Sequence, residues 1–89
     1  MSEWDWELTD TSQRDFAGLD DHARDRIASK LEEIVTDEWR EPPDHLEPLQ
    51  GAPHEKLRIG QFRLGCRADR AEQILYVLRI RKRGGNVPE

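Results

Sequence analysis

EKLRIGQFRL (residues 55–64), followed by QILYVLRIRKR (residues 73–83), decides how this chain folds. Leu57 and Ile59 alternate with Lys56 and Arg58. After Gly60-Gln61, Phe62, Leu64 and Cys66 alternate with Arg63, Gly65 and Arg67. Alternation of apolar and polar residues is the period of a strand with one buried face, and a two-residue loop with glycine first is the sequence of a type II′ hairpin. Leu57, Ile59, Phe62, Leu64 and Cys66 are therefore expected on a face covered by helices, with Arg63 and Arg67 projecting from the other. A longer hairpin loop, Ala68 to Glu72, leads into Ile74 to Ile80. That run stays apolar until Arg79, as expected of a central strand with a neighbour on each side. Tyr76, in mid-strand, reads as core.

The two stretches are cationic in a chain that is not. Residues 1–48 hold five Lys and Arg against fifteen Asp and Glu, and residues 49–89 hold nine against four, so the halves carry 5 − 15 = −10 and 9 − 4 = +5, which sum to the net −5. A split of this kind suits a molecule whose basic face seeks an anion while the rest stays solvated. Arginine dominates the cations and carboxylates the whole, a composition resembling that of proteins from salt-loving organisms. Phosphate binding weakens steeply with salt, so contact geometry would then count for more than long-range attraction.

At 89 residues the chain is expected to be one domain, 1–89, with a single modest core. A shallow site on the sheet fits this size better than a deep pocket. One cysteine, Cys66, excludes an internal disulfide, and no Cys/His spacing suits structural zinc. The first residues, MSEWDWE, lack the basic and apolar regions of a signal peptide, and no apolar run approaches membrane-spanning length. A cytoplasmic protein, with no membrane partner, is the expectation.

Upstream, Trp4-Asp5-Trp6-Glu7-Leu8 has strand alternation, with Trp4, Trp6 and Leu8 toward the core as packing residues. Asp10 with Gln13 fits a capping box and starts a short helix contacting the core through Phe16 and Leu19 and broken at Gly18. Asp20 is the expected N-cap of a second helix, whose Ala23, Ile27, Leu31, Ile34 and Val35 form one apolar stripe. Thr36 to Trp39 extend it, and Pro42-Pro43 ends it. Residues 42–53 carry four prolines and form a stiff connector pinned by Leu46 and Leu49.

Cations at Lys56, Arg63, Arg81 or Lys82, and Arg83 come from separate strands, so they can converge on one face. Convergent guanidiniums bind phosphate through paired hydrogen bonds and stay charged at any accessible pH. Exposed strand arginines are also common as solvated residues or partners of carboxylates, so periodicity alone leaves both readings open.

Taken whole, the chain resembles the RelE/ParE toxin superfamily over residues 3–88, in particular RelE-like mRNA interferases of the archaeal type. The resemblance rests on a strand, then two helices with Phe16-Ala-Gly-Leu-Asp20 at the break, and a Leu-x-Gly turn at Leu49 and Gly51. Lys56-Leu-Arg-x-Gly-x-Phe-Arg-Leu64 and a final Val-Leu-x-Ile-x-Lys-Arg over 77–83 complete it. The expected architecture is α+β: an N-terminal strand, a two-helix hairpin, and a three-stranded antiparallel meander completing a four-stranded sheet. The resemblance implies catalytic roles for Lys56, Arg63 and Arg83, with His54 where RelE proteins carry a second lysine, and RNA contacts from Arg58, Arg67, Arg81 and Lys82. Arg63 and Lys56 would hold the phosphate and Arg83 would stand near the leaving group. RelE proteins usually end this region with Val-Tyr; here it reads Val87-Pro88-Glu89, which leaves His54 as the candidate for proton transfer, imidazole being the commonest general acid or base. His22 and His45 read as surface residues.

By the same resemblance the partners are mRNA in the ribosomal A site and a cognate antitoxin, the chain being monomeric alone and hetero-oligomeric with that antitoxin. No cofactor and no metal are expected, since Arg and Lys supply the charge that other nucleases take from Mg²⁺. Two other functions stay open: an RNA- or ribosome-binding module without cleavage, and a ParE-like inhibitor of DNA gyrase.

Overall fold

The computed structural model describes residues 3–48, 51 and 54–82. Leu49, Arg83 and Val87 to Glu89 lie outside the described residues. The elements run β1 (Asp5–Leu8), α1 (Asp10–Ala17), α2 (Asp21–Val35), a 3-10 turn (Pro42–His45), β2 (Glu47–Pro48), β3 (Glu55–Ile59), β4 (Phe62–Asp69) and β5 (Ile74–Lys82). The strands form one sheet in the order β1-β5-β4-β3-β2. β1 lies parallel to β5 and the other pairs are antiparallel.

The α+β class and the central place of the last strand match the sequence reading. The fifth strand is the difference. It is a two-residue piece of the proline-rich connector, Glu47 and Pro48, paired with Lys56 and Glu55. Too short to show any periodicity, it tolerates Pro48 because it is an edge, where a missing backbone donor leaves no ladder bond unmade.

One apolar core joins sheet and helices. Ala23, Ile27, Leu31, Ile34 and Val35 of α2 meet Leu57, Ile59, Phe62, Leu64, Cys66, Leu75, Val77 and Ile80, with Trp4 sealing one end. Trp6 and Leu8 pack against it half-buried. In β5 the buried positions step from 75 to 77 and then to 80, because Gly65 stands opposite Arg79 while Cys66 stands opposite Val77. The extra residue, Leu78, is a bulge that reverses the phase of the strand. It lets Ile80 face the core while Arg79 and Arg81 turn outward.

Burial explains the state of Cys66: fully enclosed, its thiol is pushed up to about 12 by desolvation, with the nearby Glu55 charge adding. Tyr76, by contrast, is not core. It stands in register with Glu7 and Arg67 on the uncovered face and is half-buried. In an unbroken apolar run the parity of a single residue is not readable.

Three local expectations are corrected. The cap of α1 is Thr9, not Asp10: its hydroxyl accepts from Ser12 N (3.3 Å) and the Ser12 hydroxyl accepts from Thr9 N (2.8 Å). Thr9 N is also the last β1-side backbone donor to β5, on Val77 O at 3.1 Å, so the chain can turn helical only after it. α2 stops at Val35, because the Asp37 carboxylate accepts from Trp39 N (2.8 Å) and Arg40 N (3.3 Å) and folds residues 37–40 into a turn that leaves Trp39 90% exposed. The β4–β5 loop is tighter than expected, since β4 runs to Asp69 and Gln73 takes a positive φ of 57°. The β3–β4 turn matches: Gly60 has φ 57° and Gln61 does not share it, as a type II′ turn requires. No described helix is long and apolar enough to cross a membrane.

Candidate functional site

With α1 and α2 on one face of the sheet, no described helix covers the opposite face. Arg58 stands opposite Arg63, and Arg63 opposite Arg81, so three exposed guanidinium side chains line up across β3, β4 and β5. Directly opposed like charges destabilise a sheet unless something relieves them. Among the described residues the carboxylates go elsewhere: Glu47 to Lys56 (3.6 Å), Asp15 to Arg79 (3.2 Å) and Glu41 to Arg70 (3.6 Å). None pairs with Arg58, Arg63 or Arg81. Guanidiniums so placed can bind an external anion in a fixed fork geometry.

The next row holds Lys56, Gly65 and Arg79. Gly65 has no side chain, and the His54 imidazole occupies the room this leaves: a Cβ on Gly65 would lie 2.9 Å from His54 Cδ2 and 3.1 Å from Nε2. A glycine inside a strand is a known mark of close approach, and it was the available signal for this contact. His54 therefore lies over the sheet beside Lys56, two residues along the chain. Lys56 is half-buried and engaged by Glu47, with which any anion bound there would compete.

Of the sequence candidates, His54, Lys56, Arg58, Arg63, Arg67 and Arg81 share the open face. Arg67 lies one row beyond, with its guanidinium carbon 5.8 Å from the centre of the Tyr76 ring. Lys82 does not join them. It stands opposite Phe62 and points to the helix side, where it lines a cavity of about 580 Å³ with Leu19, His22, Ala23 and Arg26. Arg83 lies outside the described residues. His22 is exposed as expected, whereas His45 is half-buried with Nε2 3.1 Å from Asp37 Oδ2.

One supporting contact was invisible to strand periodicity. β1 covers β5 only from Ile74 to Val77, and past that point α1 replaces it. Thr9 and Ser12 hydroxyls donate to Leu78 O (3.3 Å) and Val77 O (2.5 Å), and Asp15 Oδ2 accepts from Ile80 N (2.9 Å) and Arg79 Nε (3.2 Å). Three residues spaced by three share a helix face and here supply the ladder partners of a missing strand. They hold the part of β5 that carries Arg81.

Two helices on one face of a mixed sheet, with a row of arginines on the other that is unpaired among the described residues, define a small α+β protein with a cationic sheet surface. The chain belongs to the ParE toxin family of type II toxin-antitoxin systems, whose family model matches residues 6–87, and so to the RelE/ParE superfamily of toxins. Among solved structures, it is similar to the RelBE2 toxin-antitoxin complex of Mycobacterium tuberculosis, with 28% identity, 93% of this chain and 94% of the other covered, and a TM-score of 0.71. The isolated RelE toxin of E. coli shares the fold at 16% identity, TM-score 0.69, over 93% and 87% of the two chains. The archaeal RelE-RelB complex of Pyrococcus horikoshii shares it at 12% identity, TM-score 0.68, over 97% and 100%. No curated protein sequence matches the chain.

Proposed function

We propose that this toxin cleaves mRNA in the decoding site of the ribosome, by attack of a 2′-hydroxyl on the adjacent phosphorus. The observation that carries the reading is the row Arg58, Arg63 and Arg81, unpaired among the described residues, with His54 seated over Gly65 beside it. In this reaction the 2′-oxygen bonds to phosphorus, the bond to the 5′-oxygen breaks, and the products are a 2′,3′-cyclic phosphate and a 5′-hydroxyl end. Arg63, flanked by Arg58 and Arg81, neutralises the charge that builds on the phosphorane oxygens; Lys56 adds to it once phosphate displaces Glu47. His54 accepts the 2′-hydroxyl proton, solvent protonates the departing 5′-oxygen, and the family resemblance assigns the leaving group to Arg83, which lies outside the described residues. The cognate antitoxin, a second expected partner, covers the same face and the complex is hetero-oligomeric, whereas the free toxin is monomeric.

The match to the ParE model favours one other reading, inhibition of DNA gyrase. Expression without antitoxin separates the two. RNA cleavage produces codon-phased mRNA ends that disappear with Arg63→Ala, whereas gyrase inhibition produces DNA-damage signalling with intact mRNA. Ribosome co-sedimentation with neither effect would mark a binding module without cleavage.

A further inference from the structure

Among the described residues, Tyr76 is the one Phe, Trp or Tyr on the open face. It stands in register between Glu7 of β1 and Arg67 of β4, half-buried, with the Arg67 guanidinium carbon 5.8 Å from its ring centre. Its hydroxyl donates to Glu72 Oε1 at 3.0 Å, which spends the polar end of the side chain and leaves the ring as its working part.

The charge layout gives this ring a position. Going down the sheet, the Arg58-Arg63-Arg81 row is cationic, the Lys56-Gly65-Arg79 row has its two cations paired with Glu47 and Asp15, the Glu7-Tyr76-Arg67 row is mixed, and the Asp5-Ile74-Asp69 row is acidic. A phosphodiester chain leaving the arginine row in that direction meets a potential that turns against its phosphates beyond Arg67. An uncharged base pays no such penalty. At the point where the sign changes stand an aromatic ring and a guanidinium, the two planar side-chain groups on which unpaired bases stack.

We propose that Tyr76 and Arg67 form a stacking platform for one nucleobase of the bound RNA, adjacent to the phosphate held by the arginine row. The platform rests on the RNA reading of this face. Arg67 lies four residues from Arg63 on β4, roughly 13 Å along the strand, so the stacked base belongs to a nucleotide neighbouring the one whose phosphate Arg63 holds. Stacking tolerates any base, so the platform fixes where the strand lies without selecting its sequence.

The test is a cycle between Tyr76 and the RNA. A short single-stranded 2′-O-methyl RNA, which lacks the nucleophile and stays intact, is prepared with one abasic position at a time and titrated against wild type, Tyr76→Phe, Tyr76→Leu and Tyr76→Ala. Tyr76→Ala is expected to weaken binding about 5- to 150-fold, Tyr76→Phe to bind like wild type, and Tyr76→Leu, which fills the same space without a π face, to follow alanine. At one position, removing the base is expected to weaken wild type by the same factor and leave Tyr76→Ala unchanged. If the cost of each missing base is equal in wild type and Tyr76→Ala while Arg63→Ala abolishes binding, the platform is wrong and the RNA reading survives. If wild type binds this RNA neither free nor in ribosomes programmed with it, both fall.

Discussion

The His54 imidazole fills the space above Gly65 that a side chain there would occupy, with Cδ2 2.9 Å from the position of a Gly65 Cβ. A bare glycine on β4 thus positions a histidine that precedes β3. Gly65→Ala is expected to displace the ring while the strand gains, since glycine in a strand interior costs roughly 0.5–1 kcal/mol relative to alanine. Melting temperature should hold or rise while mRNA cleavage falls about as far as in His54→Ala, in the range of about 100-fold for a lost general base. The double variant should be no worse than either single one. Full cleavage in Gly65→Ala would remove His54 from the reaction.

Arg63 sits between two other arginines, so it feels repulsion from both sides when the site is empty. Removing it should therefore raise stability slightly while lowering cleavage by about 100-fold or more, the usual loss for a positioned donor to a developing oxyanion. Arg63→Lys keeps the charge but not the fork and should recover only part of the rate. Thermal melts and single-turnover cleavage on programmed ribosomes read the two effects separately. A drop in both quantities together would make Arg63 a structural residue.

Much of this site was legible because strand alternation is a strict period. Leu57, Ile59, Phe62 and Leu64 mark the covered face, and the parity of Arg58, Arg63 and Arg67 follows without any knowledge of the helices. Where the period fails, so does the reading. The bulge at Leu78 shifts β5 by one residue, which is why Tyr76 reads as core, and why Arg81 and Lys82, adjacent in sequence, were not separable until the register showed them on opposite faces. Long-range side-chain contacts leave no periodic trace. Asp15 and Ile80 are 65 residues apart, and nothing in the α1 sequence announces that Thr9, Ser12 and Asp15 will complete a sheet edge.

That edge yields a stability prediction. Asp15→Ala strands the Ile80 N–H at a half-buried position and releases Arg79, at a cost of roughly 1–3 kcal/mol. For a domain of this size each kcal/mol is about 4–8 °C in melting temperature. Asp15→Asn keeps an acceptor for Ile80 N and loses only the charge toward Arg79, so its loss should be smaller. Hydrogen exchange at Ile80 is the direct measurement: protection should fall in Asp15→Ala and persist in Asp15→Asn. Equal protection in all three proteins would mean that α1 does not hold this edge.

A second carboxylate gives the fold a pH dependence. The Asp37 carboxyl is held below the ordinary carboxylate range first by the backbone N–H of Trp39, against an opposing effect of burial second only to it, with further lowering from His45 and the backbone of Arg40. A group whose folded pKa is lowered contributes stability above its unfolded pKa and loses that contribution as pH falls through the folded value. Asp37→Asn should therefore melt below wild type at neutral pH. The gap should narrow as the solution is acidified past the ordinary carboxylate range and close once Asp37 itself is protonated. His45→Ala should shrink the gap at neutral pH without closing it, because the Trp39 N–H bond remains. Melting curves of wild type, Asp37→Asn, His45→Ala and the double variant from neutral to strongly acid pH test this. A gap that stays constant across the range would show that the 37–40 turn is held by its shape and not by the charge of Asp37.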